Sequence, residues 1–175
     1  DTDYEAIMKE LCPELATAKK GEPLYIRKLP FRRNIITIDS EQPGCYTWQE
    51  SLDLARKVPI EEVYRRAAAI NKHDVCNMQY TSGTTGFPKG VMLTHYNVVN
   101  NGKAIGDCMD LSTADRMMIQ VPMFHCFGMV LAITASMTHG TTMSPIPPFS
   151  PKKGLDHINK DKITPIHDVP HMFNA

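Results

Sequence analysis

The feature that most constrains this chain is a regular alternation of strand-like and helix-like segments that starts at Asp74. Short runs of apolar and β-branched residues alternate with longer segments of helical spacing, and capping or turn residues mark the boundaries. This order is typical of an α/β fold with a mainly parallel sheet flanked by helices. Pro165 weakens the last strand or places it at an edge, because proline has no N–H for the ladder. The predicted strands are DVCNMQYT, VML, RMMIQV, TTMS and KITPIHDV, and the predicted helices follow Thr94, Cys126 and Ser150.

Residues 1–72 lack this alternation and are predicted to form a helix-rich segment with one strand. DYEAIMKEL has apolar residues at helical spacing, and NIITID is a β-branched run of strand length. Thr47 and Glu50 fit a capping box, and Pro59 opens a further helix. We therefore divide the chain into this segment and an α/β segment, residues 73–175.

Charge and composition exclude several function classes. The chain has 19 Lys and Arg against 19 Asp and Glu, so nothing predicts a nucleic-acid partner or a membrane surface. The longest apolar stretch, 123–137, is too short and too polar for a transmembrane segment. The acidic start, DTDYEAIMKE, does not resemble a signal peptide. Five cysteines without a CxxC pair indicate reduced thiols, and we expect a cytoplasmic location.

A glycine- and threonine-rich loop, YTSGTTGFPKG, follows the first strand of the α/β segment. Its glycines allow sharp turns and a close approach of the backbone to a ligand, and its hydroxyls add donors. Lys89 adds a mobile positive charge, and Pro88 limits the freedom of the chain just before it. These groups suit a polyphosphate, although the order of residues is not that of a Walker A loop. The alternative is a flexible linker, which rarely ends in Pro-Lys-Gly between two strands.

The sequence YTSGTTGFPKGVMLTH closely resembles the phosphate-binding signature of the adenylate-forming enzymes. That superfamily includes acyl-CoA synthetases, the adenylation domains of peptide synthetases, and firefly luciferase. The resemblance continues through PMFHCFG, which is similar to a second core motif, to KITPIHDVPHMF, and so covers residues 74–175. It is looser in YEAIMKELCPEL and NIITID. Peptide-synthetase domains usually carry an acidic motif in place of PMFHCFG, so the chain looks most like medium-chain fatty acyl-CoA synthetases.

The resemblance implies a reaction with ATP, Mg²⁺ and coenzyme A. A carboxylic acid is activated as an acyl-adenylate, and the acyl group then passes to the coenzyme A thiol. Lys89 would neutralise phosphate charge, and the Thr81 hydroxyl would help to hold Mg²⁺. The residues implied to contact the β- and γ-phosphates are Thr81, Ser82, Gly83, Thr84, Thr85, Gly86 and Lys89.

The second motif carries the implied acid-binding residues. His125 would lie near the carboxylate and the α-phosphate, and we expect it to be catalytic together with Lys89. Phe124 and Phe127 would shape the acyl pocket, and Gly128 would leave room beside it. The alternative for His125 is a hydrogen-bonded core residue, because a lone histidine in an apolar stretch is often structural.

The chain departs from the family pattern in two ways. Asp168 stands where the family usually has a small residue, and His171 stands where it often has threonine. A charge beside an acyl pocket is costly unless it is paired. The family's adenine-binding loop, ribose aspartate and C-terminal domain with the catalytic lysine also have no match in the chain. The resemblance therefore implies an internal fragment of the large N-terminal domain, which completes neither half-reaction alone.

Three alternatives stay open at this point. The acyl acceptor could be a carrier-protein thiol, or oxygen as in luciferase. The chain could be a non-catalytic nucleotide-binding module. It could also be a structural piece that forms a homo-oligomer through an exposed sheet edge. The sequence gives neither the acyl chain length nor the oligomeric state.

Overall fold

The structure, a computed structural model, describes residues 2–83, 86–146 and 150–174. The chain divides into two compact units, Asp1–Ala69 and Ile70–Ala175. Helices and small parallel and antiparallel sheets alternate along it, which confirms the predicted α/β class. Within the described ranges, no helix has both the length and the apolar content needed to cross a bilayer.

Unit 1 consists of three helices, one 3₁₀ turn and two short parallel strands. Asp3 caps the first helix, because its carboxylate accepts a hydrogen bond of 2.9 Å from the Ala6 amide. A small core of Cys12, Leu15, Ile26 and Cys45 joins these pieces. The elements are α1 (Tyr4–Leu11), the 3₁₀ turn Pro13–Ala16, β1 (Ile36–Thr37), β2 (Tyr46–Thr47), α2 (Trp48–Ala55) and α3 (Ile60–Ala68).

The capping box predicted at the start of α2 is present. The Glu50 amide donates to the Thr47 hydroxyl at 3.2 Å, and the Thr47 amide donates to the Glu50 carboxylate at 2.8 Å. The Lys20 ammonium donates to the same carboxylate at 2.7 Å. Hydrogen bonds from Lys20 and then Thr47 lower the pKa of Glu50 from its ordinary 4.5 to about 2. One carboxylate thus fixes both the helix start and a contact 30 residues away in sequence.

Unit 2 contains the remaining strands and helices, including a π-helical segment that continues into a short α-helix. Its core consists mainly of Leu111, Met117, Ile119, Ala132 and Ala135. The elements are β3 (Val75–Thr81), β4 (Lys89–Thr94), α4 (His95–Cys108), β5 (Arg116–Ile119), the π-helix Phe127–Thr134, α5 (Ala135–His139), β6 (Thr142–Pro145), α6 (Pro151–Asp161) and α7 (Pro170–Phe173).

The strands on either side of the glycine-rich loop form an antiparallel hairpin, whereas the sequence led us to expect mainly parallel pairing. β3 and β4 pair from Val75–Thr94 to Thr81–Lys89. The reason is the length of the link, because a parallel connection needs a crossover of a dozen or more residues and residues 82–88 are only seven. β5 and β6 are parallel, as the intervening helical segment allows.

Two predicted elements differ in extent from the structure. KITPIHDV forms no strand but a single parallel bridge between Ile166 and Met118. The Pro165 carbonyl accepts a hydrogen bond from the Met118 amide at 3.2 Å, but proline offers no N–H in return. The predicted helix after Cys126 begins as a π-helix, in which the Thr134 hydroxyl donates to the Met129 carbonyl at 2.9 Å.

Candidate functional site

The two ends of the glycine-rich loop meet at the last pair of the β3–β4 hairpin. Thr81 closes β3, Lys89 opens β4, and the two residues are direct partners across the ladder. Directly opposite side chains in an antiparallel pair project from the same face. The hairpin therefore sets the Thr81 and Lys89 side chains on one face at the base of the loop.

Two glycines shape the described part of the loop. Gly83 has φ +32°, and a Cβ on it would lie 2.4 Å from the Phe87 carbonyl oxygen and 3.5 Å from Lys89 Cγ. Only glycine lets the two arms of the loop approach so closely. Gly86 has φ +84° with open space around it, and Ser82 is exposed. Thr84 and Thr85, both predicted to contact phosphate, lie outside the described residues.

Lys89 is exposed at the loop base. Several lysines and arginines in the described ranges pair with carboxylates, but Lys89 is not among them. A lysine ammonium that is not held by a neighbouring carboxylate is free to bind an anion.

The polar face of β3 contacts the helix that follows the second motif. Asn77 and Gln79 lie on the same face of β3 as Thr81, because side chains alternate along a strand. The Gln79 amide donates to the Asn77 side-chain oxygen at 2.9 Å, and the Asn77 amide lies 3.5 Å from the sulfur of Met129. Met129 belongs to the π-helix that follows PMFHCFG. The strand that leads into the loop therefore contacts the π-helix that follows the second motif.

His125 caps the π-helix with its own ring. The His125 amide donates to the Pro122 carbonyl at 3.1 Å, and the Phe127 amide donates to His125 Nδ1, also at 3.1 Å. Because Nδ1 accepts, the neutral ring carries its proton on Nε2. His125 is exposed, so it is not the core residue that was the alternative interpretation. Its Nε2–H is left to donate to a ligand.

Gly128 allows the backbone of the second motif to turn back closely on itself. A Cβ at this position would lie 2.5 Å from the Pro122 carbonyl oxygen and 2.8 Å from Met123 Cα, both backbone atoms. Phe127 is half-buried, whereas Phe124 is 87% exposed. The roles of Gly128, Phe124 and Phe127 in an acyl pocket stay predictions, and in this structure Gly128 is needed for the turn itself.

A polar cluster beside this motif was missed by the sequence analysis, apart from Asp168. The Gln120 amide donates to the Asp168 carboxylate, and the His167 ring packs edge-on against the Phe127 ring with centroids 5.9 Å apart. Burial raises the pKa of Asp168, although the hydrogen bond from Gln120 opposes the shift. Burial also lowers the pKa of His167. Gln120 and His167 gave no sequence signal, because their partners lie about 40 or more residues away along the chain.

A magnesium ion would find only part of its ligand set here. The Thr81 hydroxyl is the kind of hard oxygen ligand that Mg²⁺ prefers. In the residues that the structure describes, no group of three or more His, Cys, Asp or Glu side chains could hold a metal ion. The residues present therefore fit a magnesium ion that is held mainly by the phosphates of its nucleotide, with Thr81 as one protein ligand.

A sequence profile of the AMP-binding enzyme family matches residues 5–175. The chain belongs to the AMP-binding enzyme family. The match includes both the loop at Thr81–Lys89 and the motif at Pro122–Gly128, so the two sites described above lie inside the family's shared region.

Relatives in the AMP-binding enzyme family have names of one kind. One relative is YngI of Bacillus subtilis (strain 168), which carries the provisional name acyl-CoA synthetase. It is 46% identical over 175 residues, and the match covers 99% of this chain and 32% of that protein. The mitochondrial medium-chain acyl-CoA ligase ACSF2 of Rattus norvegicus is 35% identical over 97% of this chain and 28% of its own. The chain thus spans about a third or less of these relatives.

The fold is also similar to solved AMP-binding enzymes. O-succinylbenzoate coenzyme A synthetase (MenE) of Bacillus subtilis, solved with ATP and magnesium ion, matches with a TM-score of 0.55 and 30% identity. The match covers 60% of this chain and 22% of that protein. Family and fold therefore agree on an AMP-binding enzyme, whereas the roles of individual residues in this chain stay predictions.

Proposed function

We propose that this chain forms the phosphate-binding and acid-binding part of an AMP-forming acyl-CoA ligase. The complete protein would activate a carboxylic acid as its acyl-adenylate and pass the acyl group to coenzyme A. The observation that carries the proposal is the pairing of Thr81 with Lys89 at the base of a loop that Gly83 folds tightly. That pairing puts a hydroxyl and a cation beside converging backbone at a single point.

The loop supports the first step through charge. A carboxylate oxygen of the acid forms a bond to the α-phosphorus of ATP, and the bond from that phosphorus to the pyrophosphate oxygen breaks. Negative charge grows on the leaving pyrophosphate, where the Lys89 ammonium, the loop amides and the Ser82 and Thr81 hydroxyls stabilise it. Magnesium, when bound, would supply further neutralisation of phosphate charge. Thr84 and Thr85 are included in this site on their sequence match alone.

His125 contributes orientation. With its proton on Nε2, the ring donates a hydrogen bond to an oxygen of the carboxylate or of the α-phosphate. The Phe127 amide holds Nδ1 at 3.1 Å and fixes the ring against rotation. A donor that is already oriented loses little freedom when the two reactants meet. We therefore assign His125 a catalytic role at the reacting oxygens.

The length of the acid, the acyl acceptor and the location of the protein are also part of the proposal. A medium-length acid is favoured by similarity to ACSF2, which is named a medium-chain acyl-CoA ligase. Coenzyme A is favoured as the acceptor, since the relatives are named for it. We propose a cytoplasmic location from the five cysteines without a CxxC pair, although the name of ACSF2 places that protein in mitochondria.

The test is ATP–pyrophosphate exchange by the complete gene product that carries residues 1–175, with octanoate as the acid. We expect acid-dependent exchange that Lys89→Ala lowers by about tenfold or more, because a charged hydrogen bond is lost. Lys153→Ala is the matched control, an exposed lysine on α6. In calorimetric titration, Lys89→Ala should bind Mg-ATP more weakly than the wild type and Lys153→Ala do. ATP binding without exchange in the presence of octanoate or of any hydroxylated octanoate would contradict the ligase proposal and indicate a nucleotide-binding module.

A further inference from the structure

Gln120 and Asp168 lie side by side just beyond the end of β5. The parallel bridge between Met118 and Ile166 sets this register, because two residues further along each chain lie Gln120 and Asp168. The Gln120 amide donates to one carboxylate oxygen of Asp168. In sheets of this kind ligands bind beyond the carboxyl ends of the strands. The pair therefore lies where an α/β enzyme places its substrate.

The cluster holds three buried polar atoms that have no hydrogen-bond partner among the described residues. They are Gln120 Oε1, His167 Nε2 and Asp168 Oδ1. Two of the three are oxygen acceptors, and the histidine nitrogen can accept or donate according to its tautomer. A buried polar atom without a partner is unfavourable, so three together need an explanation.

The surroundings of the cluster connect it to the second motif. The His167 ring packs against Phe127, which follows His125 by two residues. On the other side, Gln120 Oε1 lies close to Gly154 of α6, where an added Cβ would be only 3.3 Å away. The cluster thus lies between the end of β5, the start of the π-helix and α6. Phe127 gives it one apolar wall.

We propose that Gln120, His167 and Asp168 bind a hydroxyl group carried by the acid substrate. This rests on the proposed ligase function and names the substrate class as a hydroxylated acid rather than a plain fatty acid. A hydroxyl donates its hydrogen to Asp168 Oδ1 or Gln120 Oε1, and its oxygen accepts a hydrogen bond from His167 Nε2–H. One small group thereby gives partners to two of the three atoms.

A plain alkyl chain does not meet this requirement. It would cover the three atoms and exclude water from them without offering any donor. Sites that are built to hydrogen-bond a substrate hydroxyl strongly reject the analogue that lacks it, since their own polar groups are left unpaired. The preference should therefore depend on Asp168 rather than on the length of the acid.

The test compares octanoate with the seven monohydroxyoctanoates, with the hydroxyl at each carbon from 2 to 8, in ATP–pyrophosphate exchange by the complete gene product. We expect at least one hydroxy acid to exceed octanoate in kcat/KM by about tenfold or more, mainly through KM. Asp168→Ala should remove that preference and raise activity with octanoate. Asp168→Asn keeps one acceptor oxygen and should retain part of it. Asp156→Ala, an exposed aspartate on α6, is the control that should change nothing.

Two results would overturn the inference. One is a wild-type enzyme that uses octanoate as well as every hydroxy acid, and the other is a preference that survives in Asp168→Ala. The wild-type comparison decides even if the variant fails to fold. Failure of the ligase proposal itself looks different, because no acid of either kind would then support exchange.

Discussion

Thr81 and Lys89 are direct partners across the last pair of the β3–β4 hairpin, at the base of the glycine-rich loop. The pairing sets their side chains on one face, although the two residues are eight apart in sequence. In the proposed site, the Thr81 hydroxyl and the Lys89 ammonium would contact the same phosphate. The hairpin would then fix the base of the loop before a nucleotide arrives.

Thr81→Val should weaken Mg-ATP binding about five- to tenfold, because the variant keeps the shape of the side chain and loses the hydroxyl. Thr81→Ser restores the hydroxyl and should bind nearly as well as the wild type. Calorimetric titration of Mg-ATP measures both. Equal affinities for the valine and serine variants would show that the Thr81 hydroxyl does not contribute to Mg-ATP binding.

Gly83→Ala should impair Mg-ATP binding more than Gly86→Ala does. A methyl group on Gly83 would lie 2.4 Å from the Phe87 carbonyl oxygen, so the backbone of the loop has to shift. Gly86 has open space around it, and alanine there suffers only the strain of its positive φ, about 1 kcal/mol. Affinity and thermal unfolding should be measured together for both variants. If the two variants bind equally, the close approach of the loop arms is unimportant for phosphate binding.

His125→Asn and His125→Ala should separate the structural role of His125 from its catalytic role. Asparagine can accept the hydrogen bond that the Phe127 amide gives to the ring, whereas alanine cannot. We expect His125→Ala to lose about 1 kcal/mol of stability and His125→Asn to lose little. Both should lose acid-dependent exchange. Full activity in His125→Asn would show that the histidine acts only as a cap.

The stability of unit 1 should decrease as the solution is acidified, and part of this decrease should depend on Glu50. The folded pKa of Glu50, about 2, lies below the ordinary 4.5, so the ionised form favours the folded state. This stabilisation is complete above about pH 4.5 and is lost as the pH falls towards 2. Glu50→Gln should flatten that part of the profile. Fluorescence of Trp48, the single tryptophan of the chain, reports unfolding at α2.

Glu10→Gln is the matched control for this pH profile, since Glu10 is an exposed glutamate on α1 in the same unit. Its profile should keep the wild-type shape between pH 4.5 and 2. If Glu50→Gln also keeps that shape, the Lys20–Glu50–Thr47 hydrogen bonds are not maintained in solution.

Local patterns in the sequence predicted the parts of the fold that depend on neighbouring residues. The capping box of Thr47 with Glu50 and the N-cap at Thr94 need only residues three apart, and both are present. The antiparallel pairing of β3 and β4 was missed, although the seven-residue link already excluded a parallel crossover. The strand expected at KITPIHDV was reduced to one bridge by Pro165.

The candidate site divides in the same way. The loop and the PMFHCFG motif are continuous in sequence and were predicted as sites, and their proposed roles await experiment. The contact of Gln120 with Asp168 joins residues 48 apart and depends on strand register, which no local pattern encodes. The contact of the His167 ring with Phe127 joins residues 40 apart and is likewise encoded by no local pattern.

The hairpin also sets a limit on where the nucleotide can be held. Seven residues leave the pair Thr81–Lys89 and return to it, and an extended chain spans about 3.3–3.6 Å per residue. The path from Thr81 to Lys89 has eight Cα-to-Cα steps, so half of it is about 13–14 Å, and the loop backbone cannot reach further than this from its base. The paired strands fix the two ends of the loop, and the loop is short. In the proposed ligase, the phosphates of ATP would therefore have to lie close to this radius from the sheet edge.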